Sequence, residues 1–336
     1  TGFFGAEYIL RRMDTPLAVM PYGVTYLRLT ALGSIASILY NGFSSIMRAF
    51  GDTSTPLIIL VFACVCNVAF DLILVLGFQM GVAGVAAATV AAQSLAAAVS
   101  FLCAYRRIPW FRFERQALAL DRELMGQCMR LGLPIAAQNA LIALSCIVLQ
   151  AVVNGFGEKV VTANTATAKI EQLVMQPYNS LSSALSAFTG QNIGAGKKER
   201  VRQGFRTGLA FIGGVSLVML LVMQFFGGNI LSVFVEDAEV IDIGMKALRI
   251  TSFFYFFLGL IYVVRGTLNG AGDTVYSGMN GIVELCCRIG LAAPLTRFAA
   301  IGMWGCFLCS GLTWMITGLL SLWRYLGGKW QAAQPS

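Results

Sequence analysis

The sequence predicts an all-α integral membrane protein made of two pseudo-symmetric six-helix bundles, with about nine complete transmembrane helices present and the first bundle incomplete. Three observations predict it. The chain is 57% hydrophobic and 12% charged, against roughly 25% charge in soluble domains, so lipid must face much of its surface. Apolar stretches of about 20 residues, the length a helix needs to cross a bilayer, recur throughout, and strand-period alternation is absent. The sequence also repeats itself. Leu27-Arg28-Leu29-Thr30 returns as Leu248-Arg249-Ile250-Thr251, Gly51-Asp52-Thr53 as Gly272-Asp273-Thr274, and Gly81 and Gly84 as Gly302 and Gly305. The offset is constant, since 249 − 28 and 305 − 84 both give 221. Internal duplication in an apolar chain marks a transporter.

Taken in order, the apolar spans fall at 22–47, 56–78, 82–105, 129–154, 162–189, 205–234, 243–268, 275–297 and 301–326, and residues 1–10 read as the tail of another helix. They divide the chain into a truncated N-terminal lobe (1–105), a cytoplasmic amphipathic linker (106–128), a C-terminal lobe (129–326) and a cytoplasmic tail (327–336). The linker segment Arg106-Arg107-Ile108-Pro109-Trp110-Phe111-Arg112-Phe113 mixes bases and aromatics, as expected at a headgroup layer. Residue 1 aligns with residue 222, and the second copy starts near Met129. The duplication therefore predicts about 90 residues upstream, two helices and most of a third. An even helix number gives both copies the same orientation in the bilayer.

The net charge of +8 is distributed by loop. Arg48, then Arg106, Arg107, Arg112, Arg115, Arg122 and Arg130, then Lys197, Lys198, Arg200, Arg202 and Arg206, then Arg265, then Arg324 and Lys329 occupy alternate loops. The opposite loops are poor in bases, and one carries Glu236, Asp237, Glu239 and Asp242. The positive-inside rule puts the first set, and the C-terminus, in the cytoplasm. The basic excess is thus a topology signal and predicts no nucleic-acid partner.

The chain has no histidine, which removes imidazole acid–base and ligand chemistry. Its nine cysteines lie mostly inside apolar runs. Cys306 and Cys309 have redox-motif spacing but fall inside a predicted membrane helix, as small packing residues do.

Ionisable residues deep in a membrane helix are costly and mark sites. Asn67 and Asp71, four apart, share one helical face. An isolated carboxylate at that depth takes up a proton readily, or with nearby amide and hydroxyl oxygens a sodium ion; Thr89 in the next helix offers such a hydroxyl. Glu284 and Arg288 form an opposite-charge pair at the same spacing, with Arg288 at the position equivalent to Asn67. The pair reads as helix glue or as part of a cavity. Glu171 lies between Lys169 and Gln172, ahead of Pro177-Tyr178-Asn179. The proline predicts a kink whose freed carbonyls line a cavity, with Glu171 facing a cationic substrate or coupling ion. Gln138, Asn139, Gln93, Asn41 and Tyr40 are uncharged cavity candidates, Arg28 and Arg249 snorkel near helix ends, and Phe253 to Phe257 read as packing and lipid-facing surface.

Gly190-Gln191-Asn192-Ile193-Gly194-Ala195-Gly196-Lys197-Lys198 mimics a phosphate-binding loop, but Gln191 stands where the pattern needs Gly, Lys198 where it needs Ser or Thr, and no strand precedes it. A tight cytoplasmic turn before a basic helix start is the better reading.

Two stretches carry a family resemblance. Phe188-Thr189-Gly190-Gln191-Asn192-Ile193-Gly194-Ala195-Gly196 is similar to the loop after the second helix of each lobe in the multidrug and toxic compound extrusion (MATE) family. Met47-Arg48-Ala49-Phe50-Gly51-Asp52-Thr53-Ser54-Thr55-Pro56 is similar to that family's turn after the fourth helix. The resemblance covers nearly the whole chain. It implies twelve helices in two lobes around a central cavity, and export of compounds in exchange for inward protons or sodium. The branch that includes relatives of DNA-damage-inducible protein F couples in the first lobe through an Asn, an Asp four later and a Thr eighteen beyond it, which Asn67, Asp71 and Thr89 match. The Asp that this pattern needs on the first helix has no counterpart in the sequence. Another branch uses acids in the first and fourth helices of the second lobe; here those helices offer Gln138 and Asn139, and no acid between Thr251 and Asn269.

The expectation is a secondary active antiporter, a monomer in the bacterial inner membrane in contact with lipid. It takes small amphipathic or cationic organic substrates, has no cofactor beyond a coupling proton or sodium, and has no enzymatic activity. The rival reading is a lipid-linked saccharide flippase of related architecture, which needs several cavity cations where the spans supply few: Lys169, Arg288 and Arg265.

Overall fold

A computed structural model describes residues 2–12, 20–108, 121–298, 301–328 and 330. All regular structure among the described residues is helical: α1 (Gly2–Arg12), α2 (Met20–Ala49), α3 (Ser54–Asp71) continued by a π-helix (Leu72–Gly77), α4 (Gly81–Arg107), α5 (Arg122–Asn154), α6 (Glu158–Gly194), α7 (Lys198–Leu231), α8 (Ala238–Ser252), α9 (Tyr255–Gly270), α10 (Thr274–Arg297) and α11 (Trp304–Leu326). The chain forms two compact units, Thr1–Ala119 and Leu120–Ser336.

The helices fall where the apolar spans predict, with four differences. Six are long and apolar enough to cross a membrane, or seven when α8 and α9 count as one bent span. The other two expected spans, α6 and α10, form as helices of 37 and 24 residues but fall outside that group. They hold the charges Lys169, Glu171, Glu284 and Arg288, of which Glu284 and Arg288 are buried, and a helix that buries charged groups among neighbours need not be apolar all round. The span 243–268 is two helices, which bend by 52° at Phe253–Phe254. The helix ends also move outward. α5 begins at Arg122 and α7 at Lys198, so the basic residues there sit on helical first turns. α4 runs to Arg107, which shortens the linker, and linker residues 109–120 and tail residues 329 and 331–336 lie outside the described residues. Finally, α6 stays helical through Pro177 and on to Gly194. The phosphate-loop mimic is therefore mostly helix, closed by a turn in which Gly196 takes φ +70°.

Backbone geometry repeats with the sequence. Gly51 and Gly272 end α2 and α9 at φ +88° and +84°, and Gly81 and Gly302 follow at +54° and +52°; only glycine enters this region without strain. Asp52 N bonds Met47 O as Asp273 N bonds Leu268 O, the helix-ending pattern of a Schellman turn. A Cβ on Gly84 would lie 3.3 Å from the Leu74 carbonyl carbon, and one on Gly305 would lie 2.7 Å from that of Leu295; Leu74 and Leu295 are again 221 apart. The small residues thus allow α4 and α11 to cross the end of the preceding helix closely.

The second unit has one large buried core, which includes Tyr178, Ile212, Tyr255, Leu258, Ile261 and Trp314. The first has a small one: Met47, Ile59, Ala96, Ala104 and Ile108. The long apolar faces of α3, such as Val61, Val65 and Val68, remain exposed, as lipid-facing side chains do.

Candidate functional site

The first unit is hollow between α2, α3 and α4. A cavity of about 320 Å³ is lined by Ser37, Tyr40 and Asn41 from α2, by Leu60, Ala63, Cys64 and Asn67 from α3, and by Thr89, Ala92, Gln93 and Ala96 from α4. Spacings of three and four residues put each set on one helical face. The alanines leave the space, and the polar side chains point oxygen and nitrogen into it. Ser37 donates to Gln93 Oε1 at 2.6 Å, Asn41 Nδ2 to Ser37 O at 2.8 Å, Tyr40 Oη to Pro56 O at 3.3 Å, and Thr89 Oγ1 to Val85 O at 3.0 Å.

Two atoms are left over. Asn67 Nδ2 and Asp71 Oδ1 are buried with no hydrogen-bond partner. An unpaired buried polar atom costs roughly 1–3 kcal/mol, so both positions carry a penalty, which at Asp71 Oδ1 a bound ion or proton would relieve. The structure brings Asn67, Thr89, Tyr40, Asn41 and Gln93 together around the cavity; Asp71 lies one turn further along α3, just before the π-helix. π-helical turns concentrate at functional sites because they break the α register. In the second unit the equivalent stretch of α10 stays α-helical and carries Pro294.

Sequence reasoning missed Ser37 and Cys64. Ser37 had a signal, the i, i+3, i+4 pattern with Tyr40 and Asn41; Cys64 had none, because it resembles any small apolar residue.

Among the described residues no group of three or more His, Cys, Asp or Glu side chains could hold a metal ion. One carboxylate with neutral oxygens suits a hard monovalent cation or a proton.

The second unit places its candidates differently. Glu171 Oε1, Thr251 Oγ1 and Tyr255 Oη are buried polar atoms, with the Thr251 hydroxyl placed against both the carboxylate and the phenol. These three groups lie near one another, with Arg288 beyond them, where α8 breaks from α9. Half-helix ends of this kind recur at ion sites in transporters. Glu284 and Arg288 form a buried ion pair at 3.0 Å, their side chains 8% and 6% exposed. Arg288 Nη1 also donates to Ser145 Oγ of α5 at 2.8 Å, so the pair braces α10 against α5. Gln138 is buried and Asn139 exposed, so they face opposite ways on α5; neither amide atom of Gln138 has a partner. Phe253 is exposed while Tyr255 is fully buried. Cys306 and Cys309 are buried free thiols, as packing residues would be.

A duplicated helical membrane protein with a polar cavity and a partly buried carboxylate beside it, one oxygen of which is unpaired, is built like a transporter. Comparison with known proteins identifies the kind: a family model, MatE, matches residues 1–73 and 134–293, and the chain belongs to that family. It is 27% identical to the probable multidrug resistance protein YpnP of Bacillus subtilis, over 98% of this chain and 74% of that protein. It is 24% identical to the probable multidrug resistance protein NorM of Thermotoga maritima, over 91% of this chain and 67% of that protein. Its fold matches the outward-facing structure of a multidrug resistance MATE family transporter with a TM-score of 0.91, at 18% identity, over all of this chain and 75% of that one. The chain is therefore a multi-pass membrane transporter and not an enzyme.

Proposed function

We propose that the protein exports amphipathic, often cationic, organic compounds in exchange for protons or sodium, with Asp71 as the coupling carboxylate. Asn67 and Thr89 supply oxygens to the ion, and Tyr40, Asn41 and Gln93 form the polar wall beside it. One observation carries the reading: Asp71 and Asn67 hold the unpaired buried atoms at the edge of the first unit's cavity. Sodium binding or protonation would satisfy the Asp71 oxygen, favour one packing of α2, α3 and α4, and weaken substrate binding, so that the two ligands compete through conformation. The names of YpnP and NorM support the substrate class. Glu171, with Thr251 and Tyr255, is the second candidate ion contact. The basic helix ends would face the cytoplasm of a bacterial inner membrane.

The test is gradient-driven dye export by the intact protein in proteoliposomes. Asp71→Asn should bring export down to the level of protein-free vesicles at unchanged expression, and full export by that variant would reject the assignment.

A further inference from the structure

In the first unit, cavity, apolar packing and a charged cluster follow one another along three helices. The order is Asn41, Met47, Asp52 leaving α2; Asn67, Ile59, Thr55 going back along α3; and Gln93, Ala104, Arg107 on α4. Met47, Ile59, Ala96, Ala104 and Ile108 form the small buried core below the cavity. Beyond that core the Asp52 carboxylate accepts from Thr55 N at 3.0 Å, Thr55 Oγ1 at 2.6 Å and Arg107 Nη1 at 3.2 Å. Arg107 Nη1 also reaches Thr55 Oγ1 at 2.6 Å. The cavity wall joins this cluster directly, since Tyr40 donates to the carbonyl of Pro56, the residue after Thr55. From Gln93 to Arg107 is roughly 20 Å of helix, much of a bilayer leaflet and its headgroups.

The second unit rebuilds the same device from different residues. Asp273, the repeat mate of Asp52, takes two hydrogen bonds from Arg324, Nε to Oδ2 at 3.0 Å and Nη2 to Oδ1 at 3.2 Å. Arg324 aligns with Cys103, one helical turn before Arg107. Position 55 corresponds to Tyr276, which supports the arginine with its ring at 5.7 Å instead of a hydroxyl. The turn is inherited from the duplication, but the arginine is not. Arg107 is largely exposed, and exposed ion pairs add about 0–1 kcal/mol to stability, so stability alone is a weak reason for the first unit's pair. The units differ in what lies above the clamp: Ser37, Gln93 and Tyr40 of the cavity correspond to Leu258, Trp314 and Ile261, which fill the second unit's core.

We propose that Asp52, Thr55 and Arg107 are positioning residues that close the floor of the first unit's cavity, clamping the α2–α3 turn to the end of α4. With the clamp closed, nothing in the cavity reaches the side of the basic loops through this unit. The inference concerns access to the cavity and stands apart from the coupling role of Asp71.

Cys64 lines the cavity and reports on the floor. In intact protein whose only cysteine is Cys64, a membrane-impermeant maleimide is applied in vesicles to the basic-loop side. The parent should label slowly. Asp52→Asn and Arg107→Gln should each label about tenfold faster, as expected when a local closing interaction is lost. Arg107→Lys, which keeps a cation within reach of Asp52, should stay slow. If a single variant does not fold as judged by gel filtration, Thr55→Val, which replaces the bridging hydroxyl with a methyl of similar size, carries the same expectation. Equal labelling rates in parent and folded variants, or a parent that already labels fast from that side, would overturn the proposal.

Discussion

Asp71 and Asn67 hold buried polar atoms that the described structure does not pair, while Glu284 and Arg288, in the other copy, neutralise each other. The two pairs share a helical position and have different fates, and mutation should separate them. Removing one partner of the buried Glu284–Arg288 pair leaves an isolated charge and should cost about 3–5 kcal/mol, whereas replacing both with apolar residues of similar size should be neutral or stabilising. Thermal unfolding of Glu284→Met, Arg288→Met and the double variant in detergent checks this; a double variant less stable than either single would contradict it. Asp52 adds a pH dependence. Its two hydrogen bonds from Thr55, then Arg107, hold its carboxyl below the ordinary value of 3.8. A lowered native value means that the clamp's contribution is fully present above pH 3.8 and fades as pH falls below it. Because the thiolate fraction falls with pH for any cysteine, the parent is compared with Asp52→Asn at each pH: the parent's labelling rate at Cys64 should approach the variant's as pH falls below 3.8. The spacing of Asn67, Asp71 and Thr89 was legible because a charge in an apolar run is conspicuous. The contacts of Thr55 with Arg107 were not, because they join residues 52 apart whose types suit any surface turn.

Periodicity reveals where a helix runs but not where it breaks, and the breaks fall at the two polar sites. The π-helix after Asp71 and the bend between α8 and α9 both begin in apolar sequence, at Leu72 and Phe253, with no proline in either break and glycine only at the end of the π-helix, Gly77. Their cause is tertiary. Phe254 packs its ring where a Cβ on Gly311 would come within 2.2 Å, and α4 crosses the π-helix at Gly84. The repeated glycines were legible as a pattern, and their reason is the close crossing. Gly305→Ala meets backbone at 2.7 Å and Gly84→Ala at 3.3 Å. The first should destabilise by roughly 1–3 kcal/mol and the second by less, as melting of the two variants would show; equal losses would argue against backbone crowding as the cause.

The whole chain uses one scaffold twice, with the same turns and the same glycine crossings and a clamp at corresponding turns, but the residues that line the first unit's cavity differ from their repeat mates. Ser37, Gln93, Ala63 and Ala96 open it, while Trp314 and Leu258 close the corresponding volume in the second unit. This asymmetry was invisible to a reading that tracked the repeat, because it lies in what the repeat does not share. Filling the first cavity as the second is filled, by Gln93→Trp, should abolish ion and substrate binding and leave thermal stability at least unchanged. The most direct test of the account is equilibrium binding to the purified intact protein, by radiolabelled sodium uptake and by proton release when an organic cation is added. The parent should bind sodium saturably or release a proton, and Asp71→Asn should do neither. Undiminished sodium binding or proton release in Asp71→Asn would contradict the claim that this carboxylate couples transport.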